Sequence, residues 1–204
     1  AIGKIILAIE KAGIRDNTLI IFSSDNGAPP PGDNTPLRDF KATVYEGGIK
    51  SASFVNWPGH VPAGLSITEP THIVDWYPTL IHLAGGKINQ PSTIDGKDVW
   101  PMITQNKKSP HDAILTVSTR GPVISAIRMD HWKLILLNTD SSTQKNKAFS
   151  KYESIALFNL LDDPSETNNL ANKYPERVQV MRKRLTEMLK DAVSSGTKGP
   201  EDEL

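Results

Sequence analysis

The sequence contains no cysteine. Disulfides, thiolate metal sites and a cysteine nucleophile are therefore all excluded from these 204 residues. The absence says little about compartment, because a chain without thiols tolerates any redox poise. No Asn-x-Ser/Thr sequon occurs. No sign of charge dominates: Lys plus Arg and Asp plus Glu each number 23. Nothing in that balance points to a nucleic-acid or anionic-membrane surface. No apolar run approaches membrane-spanning length, and the chain does not open on a basic segment followed by an apolar one. The final Glu201-Asp202-Glu203-Leu204 loosely matches an ER-retrieval tail. Chance acidity is the better reading of it.

What is present is an ordinary globular composition, 38% hydrophobic and 23% charged. The length suffices for one large or two small cores. Ile2, Ile5, Ile6 and Ile9 form a single apolar helical stripe, and Gly13 suits its end. A helix with no preceding cap leads to the expectation that the chain begins within a domain. Thr18 to Ser23 is short, β-branched and continuously apolar, the pattern of a strand buried on both faces in a parallel sheet. A helix feeding such a strand is a step of an α/β fold. Residues 25 to 38 follow as a long polar loop rich in proline. A second strand is expected around Ala52 to Trp57. Asp75 is expected to cap a helix that runs to Gly85-Gly86, and residues 86 to 98 read as loop.

From about residue 113 the pattern changes. Ala113 to Val117, Val123 to Arg128, Trp132 to Leu137 and Ile155 to Asn159 read as four short strands of an antiparallel sheet. The turn signals are Arg120-Gly121-Pro122, Met129-Asp130-His131 and the polar stretch Asn138 to Ser154. A last helix follows Pro175, with Val178, Met181, Leu185 and Met188 as its apolar face. The expected divisions are 1–112 for an α/β portion, 113–193 for a small α+β subdomain and 194–204 for a flexible tail.

Two groups of residues could carry chemistry. Asp25-Asn26-Gly27 sits where the first strand ends. A carboxylate and an amide carbonyl are hard oxygen donors suited to Ca²⁺ or Mg²⁺. Gly27 can break strand alternation and let both side chains converge. The same tripeptide is also a turn sequence in its own right. Lys41, about fifteen residues on, is a compact cation that can hold an oxyanion, although most lysines are solvated surface residues. Glu46-Gly47-Gly48 reads as a tight turn whose glycines admit close backbone approach.

In this order the segments resemble the sulfatase family, closest to its arylsulfatase B-like branch. The resemblance is carried by Asn17 to Gly27, Pro36-Leu37-Arg38 with Lys41, Glu46 to Ile49, His72 to Leu80, Leu83-Ala84-Gly85, Ile94 to Trp100, Leu157 to Leu160 and Asp163 to Ala171. It covers nearly the whole chain apart from the tail. The fold it implies is α/β: a partial alkaline-phosphatase/sulfatase-like sheet with helices, followed by a small antiparallel sheet with a C-terminal helix. Asp25 and Asn26 match a pair of the family's calcium ligands, with Mg²⁺ as the alternative metal. Lys41 matches the lysine that contacts the substrate sulfate. Glu46, His72 and Asp75 are expected to be structural, and Arg38 is ambiguous, a loop residue that could brace the site.

The resemblance also implies a formylglycine nucleophile made from a cysteine in Cys-x-Pro-x-Arg. No such motif exists here. That motif, the family's other calcium pair and its leaving-group acid would lie before Ala1, so no catalytic residue is assigned in this chain. The expectation is a fragment of a sulfuric ester hydrolase, inactive alone. Its partner would be a sulfate ester, such as a sulfated glycan, in a lysosomal, ER or extracellular setting. Three rivals remain: a phosphoester or phosphonate hydrolase of the wider superfamily, a non-catalytic sulfatase-like binding module, and a piece with no stable fold.

Overall fold

A computed structural model describes residues 1–90, 93–118, 124–137 and 154–191. The turn expected at Arg120 to Pro122, nearly all of the polar stretch after Asn138 and the expected tail fall outside these residues. The chain divides into two compact units: Ala1–Gly27 with Lys50–Ile114, and Ala28–Ile49 with Leu115–Leu204. Segment 28–49 lies within the first expected division in sequence but forms part of the second unit. No helix of the described residues is long and apolar enough to cross a membrane.

The first unit opens with α1 (Ile2–Lys11). Gly13, at φ +67°, ends it. Gly13 N–H donates to Glu10 O and Ile14 N–H to Ile9 O, the two reversed bonds that close a helix through a left-handed residue. β1 (Ile20–Ser23) pairs with β2 (Ser53–Asn56), Ile21 opposite Val55 and Phe22 opposite Phe54. This ladder is antiparallel, where the apolar run predicted a parallel sheet. Nor is β1 buried on both faces: Phe22 and Phe54 stack at 5.1 Å with 38% and 43% of their surfaces exposed. An apolar run reports which faces favour burial; the direction of its hydrogen-bonded neighbour is set by non-local pairing.

α3 (Trp76–Leu83) enters from a 3₁₀ turn over Ile73–Asp75. Asp75 occupies the N-cap position of α3, as expected from sequence, but its side chain caps no N–H of that helix and serves instead as the reciprocal acid of a capping box in the 3₁₀ turn. His72 is the cap: its Nδ1 accepts from Val74 N–H, while Asp75 Oδ2 accepts from His72 N–H at 2.7 Å. Asp75 Oδ1 also accepts from Lys97 N–H at 2.9 Å and meets His111 Nε2 at 2.8 Å. A carboxylate that is 1% exposed is thereby fully satisfied. Thr79 continues this network, donating to Asp75 O and accepting from Val99 N–H. A short helix, α4 (Trp100–Gln105), was not expected. Asp98 Oδ1 accepts from Trp100 N–H at its start. Val99, Met102 and Ile103 pack there with Val55, Ile67 and Trp76.

The second unit holds a four-stranded sheet in the order β3 (Ile114–Ser118), β4 (Ile124–Met129), β5 (Trp132–Leu137), β6 (Ile155–Asn159). The β4–β5 and β5–β6 pairs are antiparallel. Opposed residues share a face. One face carries Ile124, Ala126, Ile135, Ala156 and Phe158, and Val44 and Tyr45 pack onto it. The other carries Ile127, Leu134 and Leu157, all buried, and α5 (Pro175–Asp191) packs on β4 and β5. Met181 and Leu185 are the buried residues of that helix, on the apolar face read from sequence. Arg177 lies over the Trp132 ring at 4.4 Å. Coverage on both faces explains why these strands read as apolar runs without clean alternation. Asn169 completes the outer side of β6, accepting from Leu157 N–H and donating to Ile155 O.

One buried residue breaks the apolar character of the face carrying Ala126 and Ile135. Lys133 on β5 is 1% exposed. Its Nζ lies 2.9 Å from Glu46 Oε1 and 2.8 Å from Glu166 Oε1. Glu166 Oε2 accepts from Glu46 N–H at 2.6 Å. Burial pushes the Glu166 carboxyl above its ordinary range; Lys133 and the Glu46 N–H pull the other way without cancelling it, and the Glu46 carboxylate adds to the rise.

Two outcomes follow from this packing. Asp75→Ala strands a buried imidazole and two N–H groups, so thermal unfolding should show a loss of about 3 kcal/mol. A loss under about 1 kcal/mol would contradict the hub role. Because burial raises it, the Glu166 carboxyl takes up its proton at higher pH in the folded state than in the unfolded chain, where it titrates near the ordinary 4.5. Its contribution is present below that value and is lost as pH rises through the raised one. Glu166→Gln should therefore flatten the decline of Tm with pH above about 4.5. Equal slopes in both proteins would refute the assignment.

Candidate functional site

The expected metal ligands lie just past β1. Ser24 N–H extends the ladder to Ala52 O, and Ser24 Oγ donates to Asn26 O at 3.1 Å, turning the chain. Neighbouring side chains on a strand diverge. Here they meet: Asn26 Nδ2 lies 2.6 Å from Asp25 Oδ2. Asp25 is exposed, Asn26 half-buried, and Gly27 behind them buried. Together they offer hard oxygens, the type Ca²⁺ and Mg²⁺ take. Two residues cannot fill a calcium shell of six to eight oxygens. Among the described residues no group of three or more His, Cys, Asp or Glu gathers as a metal cage. The pair therefore fits part of a coordination sphere.

Lys41 belongs to the second unit, in the loop that runs from Ala28 to α2 (Glu46–Ile49). It is exposed, and its backbone N–H donates to Ala28 O at 3.3 Å. Asn34 staples the loop from inside: Oδ1 accepts from Ala28 N–H, and Nδ2 donates to Ala28 O and Asp39 O. Lys41 is flanked by two residues in the left-handed region, Asp39 at φ 70° and Ala42 at φ 77°. Such conformations cost about 1 kcal/mol or more each for residues with a side chain, and persist only where the surroundings impose them.

The surroundings are visible. The Glu46-Gly47-Gly48 step is a short helical turn, not the plain tight turn expected. Its glycines touch the loop: a Cβ on Gly47 would sit 2.4 Å from Arg38 O and Asp39 O, and one on Gly48 would sit 2.6 Å from Phe40 O and Thr43 O. Gly47 N–H donates to Arg38 O at 2.8 Å. Ala42 O accepts from Ser118 Oγ on β3. Arg38 anchors the loop, with its guanidinium 4.2 Å from the Tyr45 ring centre and Nη1 donating to Glu166 O at 2.8 Å.

Glu46, His72 and Asp75, expected to be structural, all have buried or backbone partners described above. Sequence reasoning gave no role to Lys133 or Glu166. The available signal for Lys133 was a lysine inside Trp132-Lys133-Leu134-Ile135-Leu136-Leu137, a run that otherwise packs on both faces.

The family model for Sulfatase matches residues 1–86. Arylsulfatase J of Mus musculus is 37% identical over 229 aligned positions, covering 95% of this chain and 38% of that protein. Arylsulfatase A of Homo sapiens is 29% identical over 205 positions, covering 89% of this chain and 40% of that protein. Among solved structures, Ps i-CgsB in complex with k-i-k-neocarrahexaose superposes with a TM-score of 0.79 at 32% identity, over 91% of this chain and 39% of that one. The chain thus spans about two fifths of the length of these relatives. Sequence similarity that runs through nearly all of the chain, joined to a shared fold, makes this chain a member of the sulfatase family.

Proposed function

We propose that these residues form the part of a sulfatase that holds calcium through Asp25 and Asn26 and the substrate sulfate through Lys41, for hydrolysis of a sulfate ester. The observation that carries this reading is that the Asp25 and Asn26 side chains lie together beyond β1, joined by an Asn26 Nδ2–H to Asp25 Oδ2 hydrogen bond of 2.6 Å, in a chain of this family.

Each residue has a defined task. Asp25 supplies carboxylate oxygens and Asn26 an amide oxygen to the cation. When bound, the cation supplies Lewis acidity toward the sulfate oxygens. Lys41 places an ammonium charge against those oxygens and stabilises the charge that grows on them as the S–O bond breaks. The nucleophile and the acid that protonates the leaving alcohol have no counterpart in these residues, so the 204-residue chain binds without turnover. The substrate class is a sulfate ester, with a sulfated glycan favoured by the saccharide bound to the relative Ps i-CgsB. A lysosomal, ER or extracellular setting accords with the arylsulfatase relatives.

Calorimetric titration of the purified chain tests this. Calcium should bind at roughly 0.1–1 mM, as expected of an incomplete oxygen shell, and Asp25→Ala should abolish the heat. In the calcium-loaded chain, Lys41→Met should weaken inorganic sulfate about tenfold, or ~1.4 kcal/mol. No release of 4-nitrophenol from its sulfate ester should be detectable. Calcium binding that Asp25→Ala leaves intact, or steady turnover by the chain itself, would sink the proposal.

A further inference from the structure

Glu166 lies in the segment Asp163 to Ala171, none of which takes part in the chemistry proposed above. Three features set it apart. It is completely buried, at 0% exposure. It is a non-glycine residue in the left-handed region, at φ 54°. And each of its polar ends faces the Lys41 loop or what supports it.

The local sequence explains how such a conformation is held. Asp163 accepts from Thr167 N–H, Asn168 N–H and Thr167 Oγ1, and Glu166 N–H donates to Asp163 O. Burial raises the Asp163 carboxyl, yet these hydrogen bonds and the Arg38 charge outweigh it and hold the group below its ordinary range. The loop is thus wound around an ionised Asp163, and Glu166 is turned inward.

From there Glu166 reaches three elements. Its carbonyl accepts from Arg38, three residues before Lys41. Its Oε2 accepts from the N–H of Glu46, the first residue of α2. Its Oε1 pairs with Lys133, which also holds the Glu46 side chain. The backbone from Arg38 to Thr43 lies directly on Gly47 and Gly48 of α2. Fixing Arg38 at one end and α2 beneath leaves the chain between them little freedom, and Lys41 sits in that stretch.

We propose that Glu166 is a positioning residue for Lys41, holding the loop in the conformation in which its ammonium group meets a sulfate. The inference rests on the reading of Lys41 given above. Glu166 touches no substrate in this role; it acts through Arg38 and α2.

The test measures inorganic sulfate affinity in the calcium-loaded chain, together with amide hydrogen exchange at Gly47 and Gly48. Glu166→Ala should weaken sulfate about five- to tenfold and speed exchange at both amides. Glu166→Gln keeps an acceptor for Glu46 N–H and should stay within about twofold of the parent. In a Lys41→Met background, Glu166→Ala should cause no further loss, because its effect passes through that lysine. If Glu166→Ala does not unfold cooperatively, Glu46→Ala replaces it. That change leaves Lys133 paired with Glu166 and should weaken sulfate in the same direction. A Lys41-dependent affinity that neither Glu166→Ala nor Glu46→Ala alters overturns the positioning role alone. So does a loss of equal size with and without Lys41. A Lys41→Met protein that binds sulfate like the parent overturns the reading of Lys41 and the positioning role with it.

Discussion

A buried ammonium group sits on a largely apolar sheet face, where Lys133 Nζ contacts the carboxylates of Glu46 and Glu166 within 3 Å. Taking such charges out of water is expensive, and their mutual attraction repays it only with close, well-hydrogen-bonded geometry. The arrangement is therefore intolerant of displacement. Glu46 is 87 residues from Lys133 and 120 from Glu166 in sequence. Three segments remote in the chain are brought to one point, and the loop bearing Lys41 inherits its shape from that point. Apolar packing by Val44 and Tyr45 supplies the adhesion; the ionic contacts supply the register.

The first unit uses a buried carboxylate in a comparable way. Asp75 joins the start of α3 to Lys97 and His111, and Gly96 lies so close that a Cβ would meet Val74 O at 2.2 Å. In both units a buried acid does the work of fixing loops that short helices and strands could not fix alone. Of the residues proposed to bind ligand, Asp25 and Asn26 lie on the turn after β1 and Lys41 on the loop packed on α2. Binding groups on loops supported by a rigid scaffold are the common arrangement.

Much of this was legible in the sequence, for identifiable reasons. Strands β4 to β6 and helix α5 follow local signals: turn residues, apolar runs and the Val178–Met181–Leu185 spacing. Gly13 ended α1 because only a left-handed residue closes that motif easily. What failed depended on partners distant in the chain. The antiparallel pairing of β1 was invisible because an apolar run carries no information on strand direction. Asp75 was legible as the start of α3, but the side-chain partners Lys97 and His111 lie outside any local window. The convergence of Asp25 and Asn26 could be anticipated from Gly27, and burial of Lys133 from the apolar run around it, whereas its partners and the role of Glu166 could not. A lysine in a strand and a glutamate in a loop are ordinary until their contacts are seen.

The most direct measurement is a residue-resolved NMR titration of the chain, first with calcium chloride and then with sodium sulfate. The account predicts that calcium moves the amide signals of Asp25, Asn26 and Gly27, and that sulfate then moves those around Lys41. Signals that stay fixed at these positions while others respond would contradict it.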